Sequence, residues 1–168
     1  PPNVKWQGTA DVLRQVQILN ALDATDVPHC SVQWSGDDLS WFGSPYFIVP
    51  ALNGDVLHVG PGEWAENLPE STAIDMGRQA MTALAKVHKL DWETAVPGLG
   101  PAIEFDEDVM RWDRFLERAA DPEELSDAPD VRRRLLDTLP REAPLGVFHG
   151  DFQNANLFFS FDHKLLAV

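Results

Sequence analysis

The chain has 168 residues, 44% of them hydrophobic and 24% charged, which is the composition of an ordinary folded domain with one sizeable core. Asp and Glu outnumber Lys and Arg by 27 to 13, so the formal net charge is −14 at pH 7. A charge of this sign repels phosphate backbones and anionic lipids, which argues against binding to nucleic acid or to a membrane surface. Because no apolar run could span a bilayer, no signal pattern begins the chain and Cys30 is the single cysteine, we expect a cytoplasmic protein.

The first predicted elements are one helix and two strands. Thr9 is a suitable N-cap, and apolar residues then recur at helical spacing over residues 13–22. Short strands are predicted at residues 30–34 and 45–52, with a turn-rich segment between them. Asn53-Gly54 predicts a turn that ends the second strand.

Three helices are predicted in the middle of the chain. The first is long, begins at the suitable cap Ser71 and ends near Leu90. Its expected core face is one stripe of residues, namely Ile74, Gly77 or Met81, Leu84 and His88. Two further helices are expected around residues 109–119 and 131–139.

The last quarter of the chain predicts a strand at Val147-Phe148 and then a hairpin formed by residues 157–161 and 165–168. The order of elements is therefore a helix, strands, several helices and a hairpin. This order predicts an α+β fold with a small sheet-containing part and a larger helical part, joined near residues 52–55.

The segment His149 to Asn156, HGDFQNAN, contains the residue types that phosphoryl transfer requires. An acid, Asp151, lies five residues before an amide, Asn156, in a loop between apolar segments. Phosphoryl transfer needs a carboxylate that orients or deprotonates the attacking hydroxyl and oxygen ligands that hold magnesium on the phosphates. Two alternatives are a loop whose Asp and Asn only cap backbone amides, and a metal hydrolase using His149 and Asp151. The hydrolase is disfavoured, because no other cluster with ligand spacing accompanies these two residues.

This loop resembles the catalytic loop of the aminoglycoside phosphotransferase and choline kinase-like small-molecule kinases, which have a protein kinase-like fold. The resemblance implies that Asp151 is the catalytic base or hydroxyl-orienting residue and that Asn156 is a magnesium ligand. It also implies that His149 is a structural support of the loop, that ATP is the phosphoryl donor and that Mg²⁺ is required.

The segment from Gly43 to Leu57 is similar to the strand and hinge that join the two lobes of these kinases. The resemblance implies that Val49 faces the adenine and that Pro50, Ala51 and Leu52 form the hinge. An edge strand ended by a turn explains the same residues equally well. By the same resemblance, residues 1–54 are the remainder of the N-terminal lobe with the hinge, and residues 55–168 are a helical C-terminal lobe up to the catalytic-loop hairpin.

The sequence departs from the family pattern in three places. Residues 1–42 contain nothing that resembles a glycine-rich phosphate loop or a strand lysine. If residues 13–22 are aligned with the family by their apolar stripe, Gln15 takes the place of the helix glutamate that pairs with that lysine. The chain also stops at Val168, before the second magnesium-binding aspartate of the family. We therefore expect the chain to be an internal fragment of a longer protein. By itself, this fragment would not turn over substrate.

The predicted function is transfer of the γ-phosphoryl group of ATP to a hydroxyl of a small molecule. The acceptor stays open among aminoglycosides, choline-like or homoserine-like metabolites and hydroxyacyl-CoA compounds. Four acids could bind a cationic acceptor or could be the N-terminal charges of a helix: Glu104, Asp106, Glu107 and Asp108. The competing functions are a non-catalytic, kinase-like nucleotide-binding or interaction module, and a purely structural α+β domain.

Overall fold

The computed structural model describes residues 12–58, 60–116, 118–119, 121 and 123–168, so the expected cap Thr9 lies outside the described residues. The described part contains short strands and mostly short helices, which confirms the predicted α+β class. In chain order the helices and strands are α1 Val12–Leu22, β1 Trp34–Gly36, α2 Leu39–Phe42, β2 Tyr46–Ile48, β3 Gly54–Val56, α3 Glu70–His88, α4 Trp92–Ala95, α5 Phe105–Met110, α6 Asp113–Leu116, α7 Ala128–Asp137, β4 Phe158–Ser160 and β5 Leu165–Ala167.

The chain divides into two compact units. One unit comprises Pro1–Leu99 together with Gly146–Val168, and the other comprises Gly100–Leu145. The first unit contains every strand named above and the segment with Asp151. The predicted division into lobes at residues 1–54 and 55–168 stays a prediction.

Strands β1 and β2 pair as an antiparallel hairpin, with Trp34 opposite Ile48 and Gly36 opposite Tyr46. The first strand begins at Trp34, so the strand predicted at residues 30–34 is displaced toward the C-terminus. The connection contains the one-turn helix α2, because the Asp38 carboxylate accepts a hydrogen bond from the Ser40 N–H and so caps its N-terminus.

A three-stranded antiparallel sheet has the order β3-β4-β5. The hairpin predicted near the end of the chain is confirmed as β4 and β5. Strand β3 was not predicted, because Gly54 was interpreted as part of a turn. In the structure Gly54 pairs with Ser160, and a Cβ at position 54 would lie 2.1 Å from the carbonyl oxygen of Phe159. Glycine is therefore required here by the close approach of the neighbouring strand.

The main core lies between α3 and this sheet. Helix α3 contributes its buried residues Met76, Ala80 and Ala83, and the hairpin contributes Leu157, Phe159 and Leu165. The predicted core face of α3 was wrong, since Ile74 is 52% exposed, Met81 is 56% exposed and His88 is exposed. The helix instead buries a face of mostly small side chains, which leaves room for the ring of Phe159.

A second cluster joins the ends of three elements. Leu22 at the end of α1, Val27 and Val87 near the end of α3 are buried together, and Val168 packs against them. The Val168 N–H also donates to the Pro28 carbonyl oxygen at 3.2 Å. The end of the hairpin is thereby attached to the loop that follows α1.

The second unit contains α5, α6 and α7. The single helix predicted at residues 109–119 is divided, because α5 ends at Met110 and α6 begins at Asp113. The helix predicted at residues 131–139 is α7, which starts three residues earlier. Asp113 forms an ion pair with Arg132 of α7 at 3.3 Å, so this contact connects α6 to α7. None of the helices in the described part is both long and apolar enough to cross a bilayer.

Candidate active site

The segment from His149 to Asn156 is anchored on both sides, although by different means. After it, Leu157 and Phe159 are buried in the main core. Before it, Val147 packs in the second cluster, but the strand predicted at Val147-Phe148 is not formed. Phe148 is 61% exposed, and the backbone at Gly146 lies so close to α3 that a Cβ there would be 3.0 Å from the His88 carbonyl oxygen.

Gly150 makes the turn that presents Asp151. Its φ of +83° lies in the left-handed region, which glycine adopts without the steric cost that a Cβ imposes. The Asp151 N–H donates to His149 Nδ1 at 3.3 Å, and the His149 ring meets the Phe152 ring edge-to-face at 5.6 Å. These contacts are compatible with the predicted supporting role of His149, which stays a prediction.

The two residues predicted to carry the chemistry are in direct contact. Asn156 Nδ2 donates to Asp151 Oδ2 at 2.8 Å and to the Asp151 carbonyl oxygen, also at 2.8 Å. A 3₁₀ turn, Asn154–Asn156, makes this contact possible by folding the chain back toward Asp151. Both side chains are exposed to solvent, so a small molecule could reach them.

A third residue, Gln153, contacts the same carboxylate and was missed in the sequence analysis. Its Nε2 lies 3.0 Å from Asp151 Oδ1 and 3.1 Å from Oδ2. The available signal was an amide side chain two residues after the acid. Sequence spacing alone does not show that a side chain in an irregular loop turns back onto its neighbour, so this contact required the structure.

The donor set of the loop fits a magnesium ion held partly by phosphate. Asn156 uses its amide nitrogen toward Asp151, which leaves the amide oxygen Oδ1 without a hydrogen-bond donor among the described residues. Amide and carboxylate oxygens are the hard ligands that magnesium prefers, usually one or two of them with phosphate oxygens and water. No cluster of three or more His, Cys, Asp or Glu residues suited to a metal occurs in the described ranges.

The predicted hinge follows β2 directly. The Ile48 carbonyl oxygen accepts from the Gln33 N–H at 2.8 Å, which completes the pairing of β1 with β2. From Val49 to Leu52 the chain is neither helix nor strand, and Pro50 and Ala51 are exposed. In the part of the chain that the structure describes, no hydrogen bond involves the backbone of these four residues. Their unpaired groups could pair with an adenine, which stays a prediction.

Two comparisons with known proteins found similar ones. The model of the phosphotransferase enzyme family matches residues 6–168. A solved structure described as a "putative aminoglycoside phosphotransferase" from Ralstonia eutropha JMP134 superposes with a TM-score of 0.74 over 94% of this chain, at 23% sequence identity. The chain spans 48% of the length of that structure. No curated protein matches this chain.

The structural likeness shows the fold, and the family match covers nearly all of the residues, including the whole of the loop with Asp151. The resemblance stated from the sequence is thereby confirmed. This chain belongs to the phosphotransferase enzyme family.

Proposed function

We propose that the protein is an ATP-dependent phosphotransferase that transfers the γ-phosphoryl group to a hydroxyl of a small molecule. The observation that carries the proposal is the exposed Asp151 carboxylate, which two amide side chains hold in place in a chain of the phosphotransferase family. Enzymes of this kind need positioned oxygen atoms more than covalent chemistry, and this loop provides them.

In the proposed reaction Asp151 orients the acceptor hydroxyl and takes up its proton. A bond forms between the acceptor oxygen and the γ-phosphorus, while the bond from that phosphorus to the bridging oxygen breaks and its electron pair leaves with ADP. Asn156 would hold magnesium through Oδ1, and Val49, Pro50, Ala51 and Leu52 would meet the adenine. Bound magnesium neutralises charge on the phosphate oxygens.

The acceptor is proposed only as a small molecule with a free hydroxyl. Three of the four acids considered for a cationic acceptor, Asp106, Glu107 and Asp108, lie in the first turn of α5, and Glu104 is its N-cap. Negative charges at this position stabilise the helix dipole, so their presence is explained without a substrate. An aminoglycoside remains one member of the acceptor class, alongside choline-like, homoserine-like and hydroxyacyl-CoA compounds.

The test uses the full-length product of the gene. ADP release is measured with MgATP and a panel of acceptors: kanamycin, choline, homoserine and a hydroxyacyl-CoA. Asp151→Asn should lower turnover with any accepted compound by at least about 100-fold, because the amide cannot take a proton. Its midpoint of unfolding should stay close to that of the parent protein, because an exposed loop carboxylate contributes little to stability.

Asp137→Asn is the matched control, since this exposed aspartate on α7 lies outside the loop and the change removes the same charge. It should retain full turnover. Undiminished turnover in Asp151→Asn would refute the assignment of this residue. Stabilisation by MgATP without ADP release on any acceptor would favour the non-catalytic nucleotide-binding module instead.

A further inference from the structure

We infer that Gln153 is a positioning residue for the Asp151 carboxylate, and that it acts with Asn156 to make Oδ1 the oxygen that receives the hydroxyl proton. The inference rests on the proposed function, because it assigns a role within that reaction.

Hydrogen-bond donors are unevenly distributed over the two oxygens of the Asp151 carboxylate. A carboxylate accepts about four hydrogen bonds, roughly two on each oxygen. Between described residues, Oδ2 receives Asn156 Nδ2 at 2.8 Å and Gln153 Nε2 at 3.1 Å, whereas Oδ1 receives Gln153 Nε2 alone, at 3.0 Å. Among the described residues, Oδ1 therefore has an acceptor position left over and Oδ2 has none.

Both amide side chains belong to one ordered turn. The Asn156 N–H donates to the Gln153 carbonyl oxygen at 2.9 Å, and the Leu157 N–H donates to the Asn154 carbonyl oxygen at 3.1 Å. Leu157 is buried in the main core. The turn is thus attached to the core immediately after it, and the two side chains that hold the carboxylate share that attachment.

Both donors are neutral amides, which orient a carboxylate without placing a full positive charge beside it, as Lys or Arg would. A carboxylate held at two points presents Oδ1 in one direction. When the acceptor O–H bond breaks and its oxygen bonds to the γ-phosphorus, the proton passes to Oδ1, and the electron pair of the broken phosphorus–oxygen bond leaves with ADP.

Three substitutions separate hydrogen bonding from packing. Gln153→Met keeps the length of the side chain but removes the donor, and Gln153→Glu removes the donor and adds a charge beside Asp151. Gln153→Asn keeps an amide donor that is one methylene shorter. We expect kcat to fall in the order wild type, Asn, Met, Glu, with a loss of roughly tenfold for Met because the reacting group is misoriented. The KM for ATP should stay within about twofold, since Gln153 orients the base rather than the nucleotide.

A residue needed only to fill space would give a different order, because Met fills the space of Gln better than Asn does. A kcat for Gln153→Met equal to that of wild type, or above that of Gln153→Asn, would therefore overturn the inference. Gln17→Met is the matched control: the same change at an exposed position on α1, which should leave both constants unchanged.

The failure of this inference is distinguishable from failure of the proposed function. An active wild type, an inactive Asp151→Asn and a fully active Gln153→Met would reject the positioning role of Gln153 alone. A wild-type full-length gene product that transfers phosphate to no acceptor, or an Asp151→Asn variant of it that still does, would reject the proposed function and the inference together.

Discussion

The loop around Asp151 and the hairpin that follows it are adjacent in the chain, but they differ in burial and in the sequence separation of their contacts. In the hairpin, Phe159 is completely buried and Leu157 nearly so, and their partners come from α3, about 80 residues earlier. In the loop, Asp151, Gln153 and Asn156 are exposed, and their hydrogen bonds join residues at most five positions apart.

The fold and the candidate site therefore depend on different interactions. Apolar burial between α3 and the hairpin holds the chain together, because burial of large side chains contributes most to stability. Short-range hydrogen bonds and one glycine turn shape the loop. Substitutions in the hairpin should therefore change unfolding, whereas substitutions in the loop should change turnover.

The largest expected effect on stability is that of Phe159→Ala. Removing a fully buried phenyl ring leaves a cavity between α3 and the hairpin, which should lower the free energy of unfolding by about 3–5 kcal/mol. Chemical denaturation measures the change. Phe161→Ala is the control on the same hairpin, since Phe161 is 64% exposed and its loss should change stability by less than about 0.5 kcal/mol. Equal effects of the two variants would contradict the assignment of the core.

A smaller effect on stability, with a larger one on turnover, is expected for Gly150→Ala. The positive φ of Gly150 should make alanine unfavourable by about 1–2 kcal/mol, and relief of that strain would displace the neighbouring Asp151. Denaturation and kcat are measured together. A Gly150→Ala variant with wild-type kcat would contradict the claim that this turn positions Asp151.

Gly77→Ala is the matched control for this substitution. Gly77 lies within α3, and a Cβ at this position would meet no atom of a neighbouring element within 4 Å. Alanine there should stabilise the protein by about 0.5–1 kcal/mol, because it loses less conformational freedom in a helix than glycine does.

The smallest expected effect is that of Asp26→Asn, in the loop after α1. Lys86 Nζ lies 2.6 Å from Asp26 Oδ2, and this hydrogen bond holds the pKa of the Asp26 carboxyl below its usual value of 3.8. Because the folded-state pKa is the lower one, the pair stabilises the fold above about pH 4 and loses its effect as the pH falls through the folded-state pKa.

Melting curves of wild type and Asp26→Asn from about pH 7 down to about pH 2.5 test this expectation. At neutral pH the melting temperature of the variant should be slightly below that of wild type. The gap between the two melting temperatures should close at acid pH. It should also shrink with added salt, since the ion pair is exposed. A gap that persists unchanged at the lowest pH would show that the ion pair is not its cause. Asp137→Asn is the control, because it removes the same negative charge but breaks no ion pair between described residues.

Local signals explain which predictions from the sequence were confirmed. The position of α3 and the β4–β5 hairpin follow from periodicity and from the polar residues between two apolar runs, which are properties of adjacent residues. The family was identified from the segment His149 to Asn156, whose residues also lie close together in the chain. The prediction of the buried face of α3 was wrong, because apolar residues occur on more than one side of that helix. Which side is buried depends on the hairpin that packs against it.

The α+β class, the family and the loop that contains Asp151 and Asn156 could be predicted from the sequence, because each is encoded in residue types at short spacing. Three features required the structure: Gly54 pairs within the sheet, Met76, Ala80 and Ala83 face the core, and Gln153 turns onto the Asp151 carboxylate. The physical reason is that the first two depend on contacts between residues about 80 or more positions apart, and the third on the path of an irregular loop. Neither distant contacts nor the path of an irregular loop produces a periodic pattern of residues in the sequence.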